Sequence, residues 1–119
     1  MTAKIVPFGR KPKPPTLSRL EAEEAIHRLA RESKYGMAGV YVTDEDEIFS
    51  DFELKMLERD FTMTQVMETI EGGVINQGPT RDEYGEWRCR VKRRVAGHLV
   101  RVVVAISSDL TFMTLISVH

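Results

Sequence analysis

The sequence has a single cysteine and no long apolar run, and both features limit the kinds of protein that it can encode. The single cysteine, Cys89, cannot form an internal disulfide, so nothing favours an oxidising compartment. No apolar stretch approaches the ~20 residues that a membrane-spanning helix needs. The N-terminus also lacks the apolar core of a secretion signal. The sequence therefore predicts a cytoplasmic protein with no membrane partner and a buried, inert thiol.

The motifs of common metal and cofactor sites are missing as well. The sequence has no glycine-rich phosphate loop, no Cys/His spacing typical of a metal site and no Ser–His–Asp set. The acidic run 44–47 lacks the spaced ligands and the glycine of a calcium loop, so it is most simply a solvated loop. These absences predict a protein without a metal or a cofactor.

The length of 119 residues suits one domain. Residues 1–15 contain four prolines and several basic side chains but no acid, which predicts a flexible basic arm preceding a single domain at 16–119. Such an arm is either a solvated tail or a contact for nucleic acid or a protein partner.

Charge is unevenly distributed although the net charge is −1. Acidic side chains crowd residues 44–60, whereas arginine and lysine crowd residues 81–101. This segregation creates local fields that the net charge conceals. The basic stretch is therefore the candidate for contact with an anionic partner.

Three helices are predicted in the first part of the chain. Ser18 and Glu21 form a capping-box pattern, and apolar residues follow at helical spacing until about residues 35–36. A second helix is predicted from about residue 49 to 60. A third short helix, capped by Thr62 or Thr64, ends at Gly72 and Gly73. His27 lies at the border of the first helix, where a structural role is favoured over a catalytic one.

The remainder of the chain is rich in β-forming residues. Residues 40–42 predict a short strand or an extended segment, residues 74–75 a short strand, and residues 76–85 a loop. Three β-rich runs separated by short turns then fill residues 87–119. The predicted fold is α+β, with two to three N-terminal helices packed on a four-stranded antiparallel sheet.

The first of these runs alternates between apolar and basic side chains. Trp87, Cys89 and Val91 fall on one face of the strand, because side chains in a strand have period two. The opposite face carries Arg88, Arg90 and Lys92. The pattern predicts an outer strand with a basic surface, which either binds an anionic partner or discourages aggregation at an exposed edge.

A spaced set of residues in the second half of the chain matches a known pattern. The set consists of Lys55-Met56, Arg59-Asp60-Phe61-Thr62, Val66, Gly73-Val74-Ile75 and the three β-rich runs. With these residues the chain, from about residue 49 to 119, resembles the bacterial family called domain of unknown function 4258. That family resembles the RelE-like toxin superfamily, which includes the MqsR-type messenger-RNA-cleaving toxins.

The resemblance implies a RelE-like fold and a toxin-related, metal-independent endoribonuclease that an antitoxin partner neutralises. Cleavage by transesterification needs proton transfer and positive charge near the phosphate, and arginine forks bind two phosphate oxygens at once. Tyrosine and tryptophan stack on unpaired bases. The candidate catalytic residues are Arg59, Tyr84, Arg88, Arg90 and His98. The candidate RNA-binding residues are Arg81, Trp87, Lys92 and Arg101.

The sequence departs from the family pattern at two positions. The family's histidine falls on Asp51, and Lys55 stands where the family has its first arginine. This departure keeps an alternative open, in which the same fold is a non-catalytic module that holds a protein or nucleic-acid partner. A homodimer is a further alternative if a sheet edge is exposed.

Overall fold

The fold begins with a helix whose first turn is fixed by its own side chains. The computed structural model describes residues 16–37, 39–42 and 51–119. Ser18 Oγ accepts a hydrogen bond from the Glu21 amide at 3.0 Å, and Glu21 Oε1 accepts one from the Ser18 amide at 3.0 Å. The predicted capping box is confirmed. The predicted arm at 1–15 and the acidic run at 44–47 lie outside the described residues.

Three helices and five strands follow one another along the described chain. The helices are α1 (Arg19–Ser33), α2 (Asp51–Arg59) and α3 (Met63–Gly72). The strands are β1 (Gly39–Val42), β2 (Val74–Arg81), β3 (Trp87–Val95), β4 (His98–Ile106) and β5 (Phe112–Val118). Of the two threonines that could cap α3, Thr62 does so, in a capping box with Gln65. The α+β class is confirmed.

The sheet has five strands in the order β1-β5-β4-β3-β2. Strands β2 to β5 form the predicted four-stranded antiparallel meander, but the whole sheet is mixed because a fifth strand joins it. The additional strand is β1, which pairs parallel with β5 from Gly39 opposite Phe112 to Val42 opposite Leu115. Val40 and Val42 pack against the core, which fixes this short segment in the sheet. Parallel partners lie far apart in sequence because they need a long crossover, so local patterns do not reveal their pairing.

Strand β2 is longer than the sequence suggested. Residues 76–81 were expected to form a loop because of Gly78 and Pro79, yet they belong to β2. The pairing with β3 shifts register between Ile75 and Gln77 and again between Gln77 and Thr80. Proline lacks a donor, and an irregular strand at the edge of a sheet tolerates that loss. The strand therefore continues through residues that usually end one.

The basic strand β3 is not an outer strand, because β2 pairs with one side of it and β4 with the other. Helices α1 and α3 pack on one face of the sheet, and their buried residues join those of the strands in one core cluster. Phe52 of α2 is also fully buried in this cluster. The core thus holds one face of β3 and leaves the other face to the basic side chains.

Two side chains of α1, one helical turn apart, bind the backbone of the edge strand β2 and of the residue before it. Glu23 Oε1 accepts a hydrogen bond from the Ile75 amide at 2.8 Å. His27 Nε2 donates to the Gly73 carbonyl at 2.7 Å, so the prediction of a structural role for His27 agrees with its placement. These bonds occupy backbone groups that an added strand would need.

Candidate nucleic-acid interface

The alternation predicted for β3 is confirmed by the burial of its side chains. Cys89 and Val91 are buried against the helices, together with Trp87. Residues between them point to the opposite face of the sheet. Arg101 of β4 lies directly opposite Lys92, and paired residues share a face. The surface called the basic face below is defined by Arg88, Arg90, Lys92 and Arg101. Arg94 lies on the same side of the sheet, near the end of β3.

His119 lies at the end of the basic face, directly opposite Arg101. The Arg101 amide donates to the His119 carbonyl at 2.7 Å, and the His119 amide donates to the Arg101 carbonyl at 2.8 Å. This reciprocal pair places both side chains on the same face of the sheet. The neighbouring pair, Val102 and Val118, is fully buried on the helix face. His119 was absent from the predicted site, because pairing between β4 and β5 determines its position.

Helix α2 brings further positive charge to the same place. Arg59 Nη1 donates to the Val118 carbonyl at 2.6 Å. The backbone N–H and C=O groups of His119 bond to β4, so those of the preceding residue, Val118, point to the opposite edge of β5. At Val118 this edge is not covered by β1, whose pairing with β5 ends at Leu115. Lys55 lies one helical turn before Arg59. The set called the cationic cluster below consists of Lys55, Arg59, Arg90 and Arg101 around His119.

The environment of His119 lowers the pKa of its imidazole below the ordinary value of 6.5. Burial is the largest cause, because it penalises the charged form. The positive charges of Arg90, Arg59, Arg101 and Lys55, in that order, lower it further. His119 is therefore mainly neutral at pH 7 and able to accept a proton. A bound phosphate would offset the surrounding charge.

Two arginines of the basic face, Arg88 and Arg90, form contacts through their inner nitrogen atoms. Arg90 Nε donates to Asn76 Oδ1 at 3.2 Å, and Arg88 Nε forms an ion pair with Asp82 Oδ2 at 3.5 Å. The outer Nη atoms of both side chains form no hydrogen bond with the described residues. Among the described residues, Lys92 and Arg101 have no carboxylate within ion-pair distance. This surface therefore keeps unneutralised positive charge.

The structure separates the other predicted site residues from the basic face. Trp87 lies on the helix face and is only 8% exposed, and Arg81, its partner on β2, lies over its ring at 4.7 Å. A base that stacks on Trp87 has to displace that guanidinium. Tyr84 is 77% exposed in the turn between β2 and β3. Its exposed ring lies beyond the Trp87 end of β3.

His98 lies at the opposite end of β3 from Tyr84. It pairs with Val95, and the alternation of β4 directs it to the face that carries the buried Val100 and Val102. The length of β3, at ~3.3 Å per residue, separates the Trp87 and Val95 ends by about 26 Å. The predicted catalytic set is therefore divided. Arg90 lies beside Arg88, with which it lines a cavity, and like Arg59 it lowers the pKa of His119, whereas Tyr84 and His98 lie at opposite ends of β3.

Cys89 contributes no reactive thiol to this surface. It is buried, as predicted, and burial raises the pKa of its thiol to about 12 against the opposing effect of Arg19. Within 16–37, 39–42 and 51–119, no group of three or more His, Cys, Asp or Glu side chains could hold a metal ion. No helix in the same ranges is long and apolar enough to cross a membrane.

Comparison with known proteins gives one family match. The family model described as Domain of unknown function (DUF4258) matches residues 52–119, which is more than half of the chain. The match starts at Phe52, the second residue of α2. It spans α2 to β5 and so contains the basic face and the cationic cluster. Neither a curated protein nor a solved structure matches the chain.

Proposed function

We propose that this chain, which belongs to the DUF4258 family, binds RNA on its basic face and cleaves it at His119 without a metal ion. In this proposal it is a RelE-like, toxin-related endoribonuclease of the bacterial cytoplasm. Its partners are RNA and an antitoxin-type protein that covers the basic face. The family is described as a domain of unknown function, so the proposed RNA cleavage is argued from the geometry of the cationic cluster.

The convergence of cations from three separate segments on one histidine is the observation that supports the proposal. Arg59 comes from α2, Arg90 from β3 and Arg101 from β4, and each lowers the pKa of His119. Burial and like charges both disfavour the charged imidazole, and the cations repel one another, so the cluster costs folding free energy when it is empty. A phosphate group supplies the missing negative charge, and arginine forks match its oxygen atoms.

The cluster contains the groups that RNA transesterification requires. Neutral His119 accepts the proton of the 2′-hydroxyl, and the 2′-oxygen then forms a bond to phosphorus. Arg59 and Arg101 stabilise the added negative charge on the phosphate oxygens. The bond to the 5′-oxygen breaks, and that oxygen takes a proton from solvent. The products are a 2′,3′-cyclic phosphate and a free 5′-hydroxyl.

The alternative function is a non-catalytic module that holds RNA or a protein partner on the same face. Two observations favour it. Asp51 stands at the position of the family's histidine, and the fold keeps Tyr84 and His98 at opposite ends of β3. Binding then needs only the basic face, and His119 serves to position Arg101 through their paired backbones.

The deciding experiment measures binding and cleavage of one RNA by the same preparations. Purified wild type, His119→Ala and an Arg88→Ala/Arg90→Ala double variant are incubated with a 5′-labelled oligoribonucleotide in the presence of a chelator. Wild type is expected to cut the RNA, His119→Ala to bind it and cut at least ~100-fold more slowly, and the double variant to bind more weakly. Induction in a bacterial host adds growth arrest as a second measure.

Each result distinguishes the two functions. If wild type binds the RNA but does not cleave it, the result supports the non-catalytic binding module and contradicts the ribonuclease proposal. Full cleavage by His119→Ala removes His119 as the catalytic base, and loss of cleavage in an additional His98→Ala variant then moves the centre to the helix face at the start of β4. Absence of both binding and cleavage in wild type overturns the RNA proposal altogether.

A further inference from the structure

The face of the sheet beside the cationic cluster contains a cavity of about 230 Å³. It lies where β2 departs from regular pairing with β3, and Val103 of β4 is among the residues that line it. The residues around it are Gln77, Gly78, Thr80, Arg88, Cys89, Arg90 and Val103. We propose that this cavity is a base-recognition subsite that selects guanine, an inference that depends on the proposed RNA binding.

The cavity is a built feature of the fold, because the irregular stretch of β2 is fixed from both sides. Gly78 has φ +93°, and a side chain there would collide with the Arg88 carbonyl. Arg19 Nε of α1 donates to the Gly78 carbonyl at 3.2 Å. Because Gly78 has no side chain, the backbone of β2 can lie close to β3 at this point, although the regular pairing of the two strands is interrupted here. The hydrogen bond from Arg19 of α1 then fixes the backbone of Gly78.

Two arginines line the cavity with their outer nitrogen atoms available. Asn76 binds Arg90 through Nε, and Asp82 binds Arg88 through Nε. The hydrogen bond of Arg90 reduces the conformational freedom that this side chain still has to lose when a ligand binds. In this proposal the outer nitrogen atoms of the two arginines supply adjacent N–H donors to a base, while Val103, which also lines the cavity, offers an apolar surface for its plane.

Adjacent donors of this kind select guanine among the four bases. Guanine presents O6 and N7 as neighbouring acceptors, and a bidentate contact from arginine to this pair is the commonest specific contact to a base. Adenine places an amino donor beside N7, which opposes a guanidinium. Pyrimidines have no N7. The Gln77 amide and the Thr80 hydroxyl line the same space and can satisfy the remaining polar atoms.

The position of Arg90 connects base recognition with the cationic cluster. Arg90 lines the cavity and also lowers the pKa of His119. It lies two strands from Ser117, since both are paired with Val103. A guanine in the cavity therefore places the adjoining phosphate beside His119, so that the cavity sets the sequence preference of the bound RNA.

The test uses short RNA that cannot be cut. Fluorescein-labelled pentanucleotides of 2′-O-methyl uridine carry guanine, adenine, cytosine or uracil at the central position, and their affinities are measured by anisotropy. The guanine pentamer is expected to bind at least about fivefold more tightly than the others, the lower limit for one good bidentate contact. Inosine, which keeps O6 and N7, should bind as guanine does, and 7-deazaguanine should lose the preference.

Charge-conserving variants locate the preference in the cavity. Arg88→Lys and Arg90→Lys keep the positive charge but remove the fork, so the guanine preference should fall in at least one of them while uridine binding changes little. Arg94→Lys is the matched control. Arg94 lies on the same strand outside the cavity and donates to the Gly97 carbonyl at 3.4 Å, so its replacement should leave the preference unchanged.

The outcomes separate this inference from the function on which it rests. Equal binding of all four pentamers overturns the guanine subsite and leaves RNA binding intact. A guanine preference that survives 7-deaza substitution also overturns it, because the N7 contact is then unused. Failure of wild type to bind any pentamer overturns both proposals.

Discussion

Lys92 and Arg93 are neighbours in sequence, but β3 sends them to opposite sides of the sheet. Arg93 Nη1 donates to the Glu68 carbonyl at 2.7 Å, in the last turns of α3, where positive charge complements the helix dipole. Lys92 lies opposite Arg101 and has no carboxylate at ion-pair distance among the described residues. The same charge therefore stabilises the fold on one side and remains available on the other.

This difference shows why the number of basic residues in a stretch is a poor measure of a binding surface. Arg81, on the helix side, is used to cover Trp87. Arg88 and Arg90, on the other side, form contacts through Nε, and their outer nitrogens form no hydrogen bond with the described residues. Strand alternation thus decides which cations can meet a ligand, and the predictions below test that division.

The largest expected effect concerns the contrast between the two sides of β5. Leu115 is 1% exposed on the helix face, whereas its neighbour Thr114 points to the other side. Leu115→Ala should lower the free energy of unfolding by about 2–5 kcal/mol, since it leaves a cavity in the core. Thr114→Ala should change it by about 0.5 kcal/mol or less. Urea denaturation measures both, and equal losses would contradict the assignment of faces.

The next effect distinguishes Lys92 from Arg93. Arg93→Ala should lower the free energy of unfolding by about 1 kcal/mol because α3 loses a charged contact near its end. Its RNA affinity should keep the salt dependence of wild type. Lys92→Ala should leave stability within about 0.5 kcal/mol and reduce the slope of log K against log salt by about 0.7, the value for one phosphate contact on a single strand.

Urea denaturation and a salt titration of RNA binding on both variants complete the comparison. The reverse pattern, with a reduced salt slope in Arg93→Ala, would place the interface on the helix side.

Local patterns were sufficient to predict much of the fold. The capping box at Ser18 and Glu21 needs only residues three apart, and the burial of β3 follows from a two-residue period. Both features depend on neighbours in sequence. The family resemblance, which rests on spacing along α2 to β5, also agrees with the matched region.

Features that depend on distant pairing could not be predicted in this way. Strand β1 joins β5 across about 70 residues, and no local signal indicates that partner. The placement of the candidate site residues depends on distant pairing as well. Tyr84, His98 and Trp87 are close to the basic run in sequence, whereas His119 lies beside Arg101 only through the pairing of their backbones. A candidate site whose residues come from several strands can be recognised only when the order of the strands in the sheet is known.

The smallest effect concerns the pH dependence that His119 adds to stability. Because the pKa of His119 is lowered in the folded protein, both folded and unfolded chains carry neutral imidazole above pH 7. As the pH falls through the ordinary value of 6.5, the unfolded chain takes up the proton first, so stability decreases. The loss stops only below the lowered folded value. His119→Gln should remove this part of the decline.

Unfolding measured in urea at pH 7.5, 6.0 and 5.0 on wild type and His119→Gln isolates the contribution, since other titrating groups are shared and cancel in the difference. Bound RNA should reverse the sign of the linkage, because phosphate among Arg59, Arg90 and Arg101 favours the imidazolium form. Proton uptake on RNA binding near pH 6.5 is therefore expected in wild type and reduced in His119→Gln. If stability declines equally in both proteins, the cationic cluster does not lower the pKa of His119, and the basic face is then a surface that acts only through its positive charge.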